Sequence, residues 1–344
     1  MSFDSELFKH YWHLVAHRRE LLQANDFVKF DTPLGELVIF NDHGTLVAFD
    51  NKCPHRGSRI YTQDCGNQAW ACGYHGWSYQ AGQVVVPDPQ RFEACGLNSP
   101  VLHAYQLEWC GDFIFVGIEP YSSLSEQLGS LTETLENISF NIAARRDFNR
   151  YPFECYWPIA IENALEPYHI PLIHTDTLAT LGLTEGVNRF EGCNSVWRAP
   201  VSNSRIAKQL TGLKRLFNID YQEEQYLSIF IFPFTMISST FGYSYSIQNF
   251  FPAKASAHTH FTSRLYAAPT ASDNAATIVE PFLLASAATN RKVFAEDHAV
   301  CKNVASDAWT AAPLPFASTL EEKIVHFREQ CRTFTSLTNA RNVS

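Results

Sequence analysis

The chain lacks any run of about 18 consecutive apolar residues, the length that a membrane-spanning helix needs. Its most apolar segment, residues 226–241, is shorter, is interrupted by Pro233 and contains several Ser and Thr residues, which is typical of buried strand. Acids, histidines and arginines occupy the N-terminal residues, where a signal peptide has an apolar run. We therefore expect a cytoplasmic protein that does not cross a membrane.

Positive charge is also scarce, because 35 acidic residues outnumber 26 basic ones and the formal net charge is −9. Binding to nucleic acid requires a basic face, so we expect no nucleic-acid partner. The nine cysteines are an odd number in a chain without an export signal, which argues against a disulfide framework. We expect some of them to bind metal and most of the others to be small buried side chains.

The composition is that of a globular protein, with 46% hydrophobic residues in 344, and it predicts one large or two modest domains. Residues 26–118 contain short alternating apolar runs that predict a small antiparallel β domain: FVKFD, ELVIF, TLVAF, AYQLEW and DFIFVG. A polar, partly helical segment follows at 122–148 and predicts a connection. We place the first domain at 1–148 and the second at 149–344.

The second domain has a mixed pattern, which predicts an α+β fold in which an antiparallel sheet wraps around long helices. A turn is expected at Phe241–Gly242. The predicted helices are 158–175, 280–304 and 319–334, and the predicted strands are 226–237, 243–251 and 258–267.

Two short motifs in the first domain each contribute one Cys and one His. Cys53 and His55 lie in CPHRG, and Cys72 and His75 lie in CGYHGW, with sixteen residues between His55 and Cys72. Structural zinc sites usually pair their ligands as Cys with Cys and His with His. One Cys and one His from each loop suits a [2Fe-2S] cluster in which the cysteines hold one iron and the histidines the other. Zinc, or unconnected loop residues, would be the alternatives.

The motifs CPHRG and CGYHGW resemble those of the Rieske cluster domain. Imidazole is neutral where thiolate is negative, so two histidines on one iron raise the reduction potential to roughly −150 to +300 mV, from about −400 mV for a plant-type all-cysteine cluster. A cluster in that range can accept electrons from a reductase and pass them on. A protein with this domain alone would be an electron carrier, which is a function of a different class.

The segment ENALEPYHIPLIH contains His169 and His174, five residues apart, and Glu166 three residues before the first. Two histidines and one carboxylate on one face of a metal form the ligand set of non-haem Fe(II) oxygenases. Five residues on an ideal helix separate two side chains by about 140°. The two histidines can converge only if the helix is distorted, and Pro171 between them would disturb it.

This segment resembles the iron-site motif of Rieske-type non-haem iron oxygenases, and with the cluster motifs the resemblance covers residues 10–305. It implies an N-terminal antiparallel β Rieske domain followed by a helix-grip-like catalytic domain, with a Rieske cluster and a mononuclear Fe(II) as cofactors. It also implies a third iron ligand from a later helix. Asp297 best matches the family's acidic pair, and Glu280, Glu296 and His298 are the alternatives.

The family resemblance further implies a head-to-tail homotrimer, in which the cluster of one subunit lies beside the iron of its neighbour. By position, Glu166 would be the bridging carboxylate between His75 of one chain and His169 of the next. Glu in place of the commoner Asp resembles carnitine-type monooxygenases. Asn163 would lie near the open coordination positions. No flavin, nicotinamide or plant-type ferredoxin motif follows, so we expect a separate reductase.

The expected substrates are O₂ and a small, apolar or aromatic organic molecule, bound between the iron helix and the sheet. The compact length resembles homotrimeric hydroxylases and O-demethylases, which favours monooxygenation over cis-dihydroxylation of an aromatic ring. Arginines 189, 198, 205 and 264 are weak candidates to anchor a charged group. Aromatic and apolar residues alternate on the predicted strands, so we expect some of them to face the pocket and the others to pack in the core on the opposite side: Phe230, Phe232, Phe234, Met236, Tyr243 and Tyr245. Leu178, Leu181 and Leu183 would form a lid.

Overall fold

The computed structural model describes residues 2–95, 100–183, 185–221, 223–254 and 258–343. In its N-terminal part, helix α1 (Phe3–His10) precedes a series of strands that confirms the five predicted there. These strands are β1 (His13–His17), β2 (Asp26–Thr32), β3 (Gly35–Asp42), β4 (Thr45–Asp50), β5 (Cys65–Asn67), β6 (Ser78–Gln80), β7 (Gln83–Val85), β8 (Ala104–Cys110) and β9 (Phe113–Gly117).

Seven of these strands form an antiparallel sheet in the order β1-β9-β8-β4-β3-β2-β5, and β6 pairs with β7. The β3–β4 hairpin shows why the chain turns where it does. His43 and Gly44 both have positive φ, as a two-residue hairpin loop requires, and Asn41 Oδ1 accepts a hydrogen bond of 2.6 Å from the Gly44 N–H. The loops after β4 and β5 carry the two Cys–His motifs.

Two short helices, α2 (Leu124–Leu128) and α3 (Leu131–Phe140), lead to a second antiparallel sheet. Its order is β10-β16-β15-β14-β13-β12-β11. Its strands are β10 (Ala144–Phe153), β11 (Val187–Glu191), β12 (Asn194–Ala199), β13 (Tyr226–Ile231), β14 (Thr235–Thr240), β15 (Ser244–Pro252) and β16 (Thr259–Ala267).

Two sequence predictions, a strand and a turn, can be compared directly with this sheet. The single strand predicted at 226–237 is wrong, because the chain reverses between Ile231 and Thr235 and forms two paired strands. The turn at Phe241–Gly242 is confirmed, with positive φ at both residues. The domain boundary placed between 148 and 149 falls inside β10, which pairs with β16 from Ala144 onward.

The remaining helices cover the second sheet, and the whole arrangement confirms the predicted α+β class. Among the described residues, no helix combines the length and hydropathy needed to cross a membrane. Helix α7 begins at Asp273, where the Ser272 side chain accepts a hydrogen bond from the Ala275 N–H. The helices are α4 (Trp157–Leu165), α5 (Ile170–Ile173), α6 (Ser204–Leu213), α7 (Asp273–Cys301) and α8 (Glu322–Val343).

A buried carboxylate, Glu20, links the two sheets. It follows β1, its side chain is 1% exposed, and it binds Arg145 of β10 at 2.6 Å together with Arg264 and Tyr266 of β16. Burial raises the pKa of Glu20, but the charges of Arg264 and Arg145 outweigh burial and hold the pKa below its ordinary value. The ionised form therefore stabilises the contact between the sheets.

We expect Glu20→Gln to lower the free energy of unfolding by about 3–5 kcal/mol, because it leaves Arg264 buried without its counter-charge. Urea denaturation measures this difference. Because folding lowers the pKa of Glu20, its contribution is complete above the unfolded value of 4.5 and disappears as pH falls through the folded pKa. The gap between wild type and variant should therefore narrow in acid.

The matched control is Glu119→Gln, which removes a carboxylate that is 62% exposed and paired with Lys9 at the surface. Its urea midpoint should stay at the wild-type value. Equal midpoints for the Glu20 and Glu119 variants would show that the buried cluster does not hold the sheets together.

Candidate functional site

The two Cys–His loops have the same backbone form. The Gly57 N–H donates to the Cys53 carbonyl at 2.9 Å, and the Gly76 N–H donates to the Cys72 carbonyl at 2.9 Å. Both glycines have positive φ, of +73° and +72°. A side chain at either position would be strained, so the glycines allow two tight, matching turns.

The turns bring the four predicted cluster residues together at the end of the first domain. Cys53 and Cys72 are each 3% exposed, and the rings of His55 and His75 lie 4.6 Å apart. The His55 ring also stacks on Trp77 at 4.7 Å. His55 Nδ1 is buried and has no hydrogen-bond partner in the described part of the chain. An orphaned nitrogen of this kind fits a missing metal bond.

Backbone donors surround the two sulfur atoms. The N–H groups of His55 and Arg56 point at the Cys53 thiol, and those of Tyr74 and His75 point at the Cys72 thiol. Burial raises the pKa of the Cys72 thiol, but hydrogen bonds with the Tyr74 N–H, the Cys53 thiol, the His75 N–H and the Ser58 hydroxyl together outweigh burial and lower the pKa. Such N–H groups stabilise negative sulfur, as a cluster needs.

The four side chains do not close around one point, as four ligands of a single zinc ion would. Among the described residues, only His169, His174 and Asp297 place three ligand atoms within 4.8 Å of one another. The spread of the Cys and His side chains suits a dinuclear group better than a single ion.

The second motif is not the single distorted helix predicted at 158–175. Helix α4 ends at Leu165, and Glu166 has an extended backbone (φ −121°, ψ 146°) because Pro167 follows it. Helix α5 is only four residues long, with His169 before it and His174 after it. The two histidines converge because they lie at opposite ends of this one turn, and Pro171 lies inside it.

Asp297 of α7 completes the group, as the acidic-pair resemblance predicts. His169 Nε2 and His174 Nε2 lie 3.1 Å apart, and Asp297 Oδ1 lies 3.0 Å from His174 Nε2 and 3.6 Å from His169 Nε2. Two nitrogens and one oxygen on one side of a common point form a facial ligand set that leaves the opposite side open.

The outer nitrogen of each histidine is held by a carboxylate. His169 Nδ1 lies 2.6 Å from Glu166 Oε1, and His174 Nδ1 lies 2.8 Å from Glu296 Oε2. Metal-binding histidines usually have such partners, which orient the ring and make the inner nitrogen more basic. The sequence motif contains Glu166, but the positioning contact of Glu296 was missed, although its place beside Asp297 was a clue.

Asn163 lies one helical turn before Glu166 and donates from Nδ2 to Asp297 Oδ1 at 2.7 Å. It therefore lies beside the predicted ligand. Tyr168, in contrast, does not pack inside the protein, because its side chain is 61% exposed.

The charges at this site favour a bound cation. Burial lowers the pKa of His169, but interactions with Asp297 and Glu166 outweigh burial and raise the pKa to about 9. Burial likewise raises the pKa of Asp297, and the two histidines more than offset it, so this pKa lies below its ordinary value. A positive charge between the three groups is stabilised, which is the property that a metal site needs.

The alternative ligands are committed elsewhere. Glu280 pairs with Arg146 on β10. His298 points away from the histidines, with Nδ1 at 3.1 Å from the Tyr151 hydroxyl and Nε2 at 3.4 Å from Glu154. Glu296 contacts the outer nitrogen of His174 instead of the shared point.

The open side of the three-residue group faces a cavity of about 350 Å³ between the helices and the second sheet. Its helical wall includes Phe282, Thr289 and Val293 of α7, and Leu178 and Leu181 also line it. This size lies within the range of small-molecule sites.

Aromatic residues of the sheet do line the cavity, but they are Trp197 and Tyr226 and not the residues named from the sequence. Of the six strand residues named, only Met236 lines the cavity, because Phe230, Phe232 and Phe234 pack in the core and Tyr243 and Tyr245 in two further apolar clusters. Leu183 also packs in a core cluster. Polar residues form most of the sheet floor instead: Ser228, Ser238, Ser239, Thr240, Ser244, Ser246 and Gln248.

None of the four arginine candidates lines the cavity. Arg264 is 0% exposed and is committed to the Glu20 cluster on the other side of the sheet. Arg198 binds Glu223 at 3.0 Å. The cation that does line the cavity is Lys323 of α8, which the sequence reasoning missed.

A β domain with paired Cys–His loops, followed by an α+β domain with two histidines and a carboxylate, defines an iron-dependent oxygenase of the Rieske class. Two family models agree: "Rieske [2Fe-2S] domain" matches residues 11–98, and "Ring hydroxylating alpha subunit (catalytic domain)" matches residues 141–336. The chain belongs to the family of Rieske ring-hydroxylating oxygenase alpha subunits, whose cofactors are a Rieske [2Fe-2S] cluster and a mononuclear iron.

Similar curated proteins include both mono- and dioxygenases. The toluate 1,2-dioxygenase alpha subunit of Pseudomonas putida is 28% identical over 52% of this chain and 43% of its own length. The glycine betaine monooxygenase oxygenase subunit of Chromohalobacter salexigens is 29% identical over 51% and 40%. The N,N-dimethyl phenylurea N-demethylase alpha subunit of a Sphingobium strain is 33% identical over 49% and 39%. The chain thus spans less than half the length of these relatives.

Solved structures share the fold over almost the whole chain. A quaternary ammonium Rieske monooxygenase, CntA, superimposes with a TM-score of 0.74 at 17% identity, over 96% of this chain and 91% of that one. Naphthalene 1,2-dioxygenase from Rhodococcus sp. superimposes with a TM-score of 0.70 at 16% identity, over 96% and 90%.

We expect Asp297→Ala to remove one Fe(II) per chain, because it removes the carboxylate from the three-ligand group. Glu296→Gln should weaken Fe(II) binding by about 10- to 100-fold, since it only disturbs the orientation of His174. Anaerobic iron titration of chains with an intact cluster spectrum measures both changes.

The control is His298→Gln, which alters the neighbour of Asp297 that faces Tyr151 and Glu154. Iron affinity in this variant should match that of the wild type. If Asp297→Ala kept its iron, the ligand set given above would be wrong.

Proposed function

We propose that this chain is the oxygenase component of a two-protein system that uses O₂ to hydroxylate or oxidatively demethylate a small, largely apolar organic substrate. The observation that carries the proposal is the group formed by His169, His174 and Asp297 beside a substrate-sized cavity. An electron carrier with a Rieske domain alone would need neither the group nor the cavity, so that rival is disfavoured.

In this proposal Cys53, His55, Cys72 and His75 hold the [2Fe-2S] cluster, and His169, His174 and Asp297 hold the Fe(II). The cluster would supply electrons one at a time, and the Fe(II) would supply the site of O₂ reduction. Asn163 would hold Asp297 by its hydrogen bond, and Glu166 and Glu296 would fix the two imidazole rings. Leu178 and Leu181 would exclude water from the cavity.

Monooxygenation is the first candidate, and the relatives that support it are a glycine betaine monooxygenase and an N-demethylase. Cis-dihydroxylation is the second candidate, since toluate, anthranilate and 2-halobenzoate 1,2-dioxygenases and a biphenyl 2,3-dioxygenase are also relatives, the last at 36% identity. The two reactions differ in the oxygen atoms that they place in the product.

The proposal includes a separate reductase and a head-to-tail homotrimer. His75 and Tyr74 are exposed at the tip of the cluster loops, with Tyr74 58% exposed. Tyr168, just before His169, and Leu172, between the two histidines, are 61% and 80% exposed. Exposed apolar side chains at both sites suit a contact between the cluster end of one subunit and the iron end of the next.

Metal analysis combined with single turnover under ¹⁸O₂ tests this function. The anaerobic protein should contain about three irons and two sulfides per chain. After reduction with dithionite, it should convert one of toluate, glycine betaine or N,N-dimethyl phenylurea. One ¹⁸O atom in a hydroxylated product, or in the formaldehyde released by demethylation and trapped before it exchanges with water, indicates monooxygenation, and two on adjacent carbons indicate dihydroxylation. About two irons and no product would instead point to an electron carrier.

We also expect Glu166→Gln to keep both metals and to slow oxidation of the reduced cluster at least about tenfold, because removing the charge weakens the hydrogen bond to His169 and the proposed bridge to His75. Stopped-flow absorbance of the reduced cluster after mixing with O₂ and substrate measures the rate. Glu154→Gln, which changes a carboxylate that is 60% exposed, is the control. An unchanged rate in Glu166→Gln would remove the bridge.

A further inference from the structure

Lys323 of α8 is a buried lysine that faces the substrate cavity. Its side chain is 3% exposed, and it lines the same cavity as His169, His174 and Asp297. Its one hydrogen-bond partner among the described residues is the Ser228 hydroxyl, at 3.4 Å from Nζ. No carboxylate in the described part of the chain forms an ion pair with it.

A second buried lysine in the same chain shows how unusual this is. Lys29 is 4% exposed, and three carboxylates surround its Nζ, those of Asp31 at 3.6 Å, Glu36 at 3.5 Å and Asp64 at 3.4 Å. Buried charges are ordinarily paired in this way because burial without a partner is costly. Lys29 has its counter-charges within the protein, and Lys323 does not.

Burial lowers the pKa of Lys323 to about 7, since no nearby carboxylate counteracts the loss of water. The lysine at position 323 therefore lowers the stability of the folded protein, whereas a Met or Leu at this position would suit the buried face of α8. The same face carries Phe327 and Cys331, one and two turns further along, and both are buried. A lysine on such a face needs a counter-charge from a molecule other than the chain itself.

The polar residues on the neighbouring floor of the cavity can form hydrogen bonds with the other atoms of a polar group bound to Lys323. Ser228 lies opposite Ser238 on the paired strand, and Ser238 lies opposite Ser246. Gln248 Nε2 donates to the hydroxyls of Ser238 and Ser246, both at 3.1 Å. Lys323 and this row of hydroxyls make one side of the cavity polar, while Trp197, Ile206 and Leu210 line it with apolar surface.

We propose that Lys323, assisted by the Ser228 hydroxyl, binds a carboxylate of the substrate, so that the substrate is a small organic acid with an apolar body. An ammonium group and a hydroxyl donor side by side suit a carboxylate, which accepts on both oxygens. The single cation in the cavity lining suits a monoanion. This inference rests on the proposed function, because it assigns the cavity to the oxygenase substrate.

Equilibrium binding to the metal-loaded protein without O₂ tests the inference independently of turnover. The probes are benzoate, cyclohexanecarboxylate and hexanoate, each compared with its uncharged primary amide by calorimetry. At least one acid should bind about tenfold or more tightly than its amide, the difference expected for one charge-assisted hydrogen bond. Lys323→Met should abolish this preference, and Lys323→Arg should retain part of it.

Lys302→Met, which removes an exposed lysine at the end of α7, is the matched control and should bind the acids as the wild type does. Urea denaturation separates a binding role from a structural one. Lys323→Met should unfold at the wild-type midpoint or above it, because it replaces a buried unpaired charge with an apolar side chain.

Two results would overturn the inference: no acid binds more tightly than its amide, or the preference persists in Lys323→Met. Either result can occur in a chain that still oxidises a substrate, which would leave the proposed function intact. Conversely, a preference for acids that depends on Lys323 in a chain that oxidises nothing would contradict the proposed function alone.

Discussion

A buried ionised group needs opposite charge beside it, and three buried groups of this chain differ in how that requirement is met and in whether the chain itself meets it. Glu20 is met by Arg145 and Arg264 from within the protein, and the result is a permanent link between the two sheets. Asp297 is met by two histidines whose inner nitrogens can instead hold a metal. Lys323 is met by nothing in the described chain. The first case fixes the fold, and the other two leave room for a metal and for a substrate.

Local sequence signals were enough to predict the parts of the site that lie close together in the chain. The paired loops at Cys53 and Cys72 could be recognised because each motif is complete within a few residues and includes the glycine that its turn requires. The strands of the first sheet were predictable for the same reason, since their turns are local. Asp297, in contrast, lies 123 residues after His174 and could be assigned only by resemblance to a family.

The errors arose where tertiary structure decides between patterns that look alike. The run from 226 to 237 is apolar apart from Ser228 and Thr235, so its periodicity did not indicate the reversal before Thr235, although Pro233 was a local signal of a break. Of the alternating Phe residues only Phe230 lies in a strand, because Phe232 and Phe234 lie in the turn between β13 and β14. Side-chain alternation also cannot say whether a residue meets core or cavity. Pro167 carried a usable signal: the residue before a proline avoids helical backbone, which predicts the end of α4 at Leu165. Lys323 was also a usable signal, because its charge lies on the same helix face as Phe327 and Cys331.

Helix α7 supplies both the proposed iron ligand and one wall of the cavity, with Phe282, Thr289, Val293 and Asp297 along a single face. The fifteen residue steps from Phe282 to Asp297 cover about 22 Å of helix axis. The position of each of these side chains along the helix therefore sets its distance from the metal site. Substitutions near Phe282 would affect the binding of long molecules only, and substitutions near Val293 would affect the binding of every molecule. Substituting one of these lining residues at a time would change the range of substrates without displacing the metal ligands.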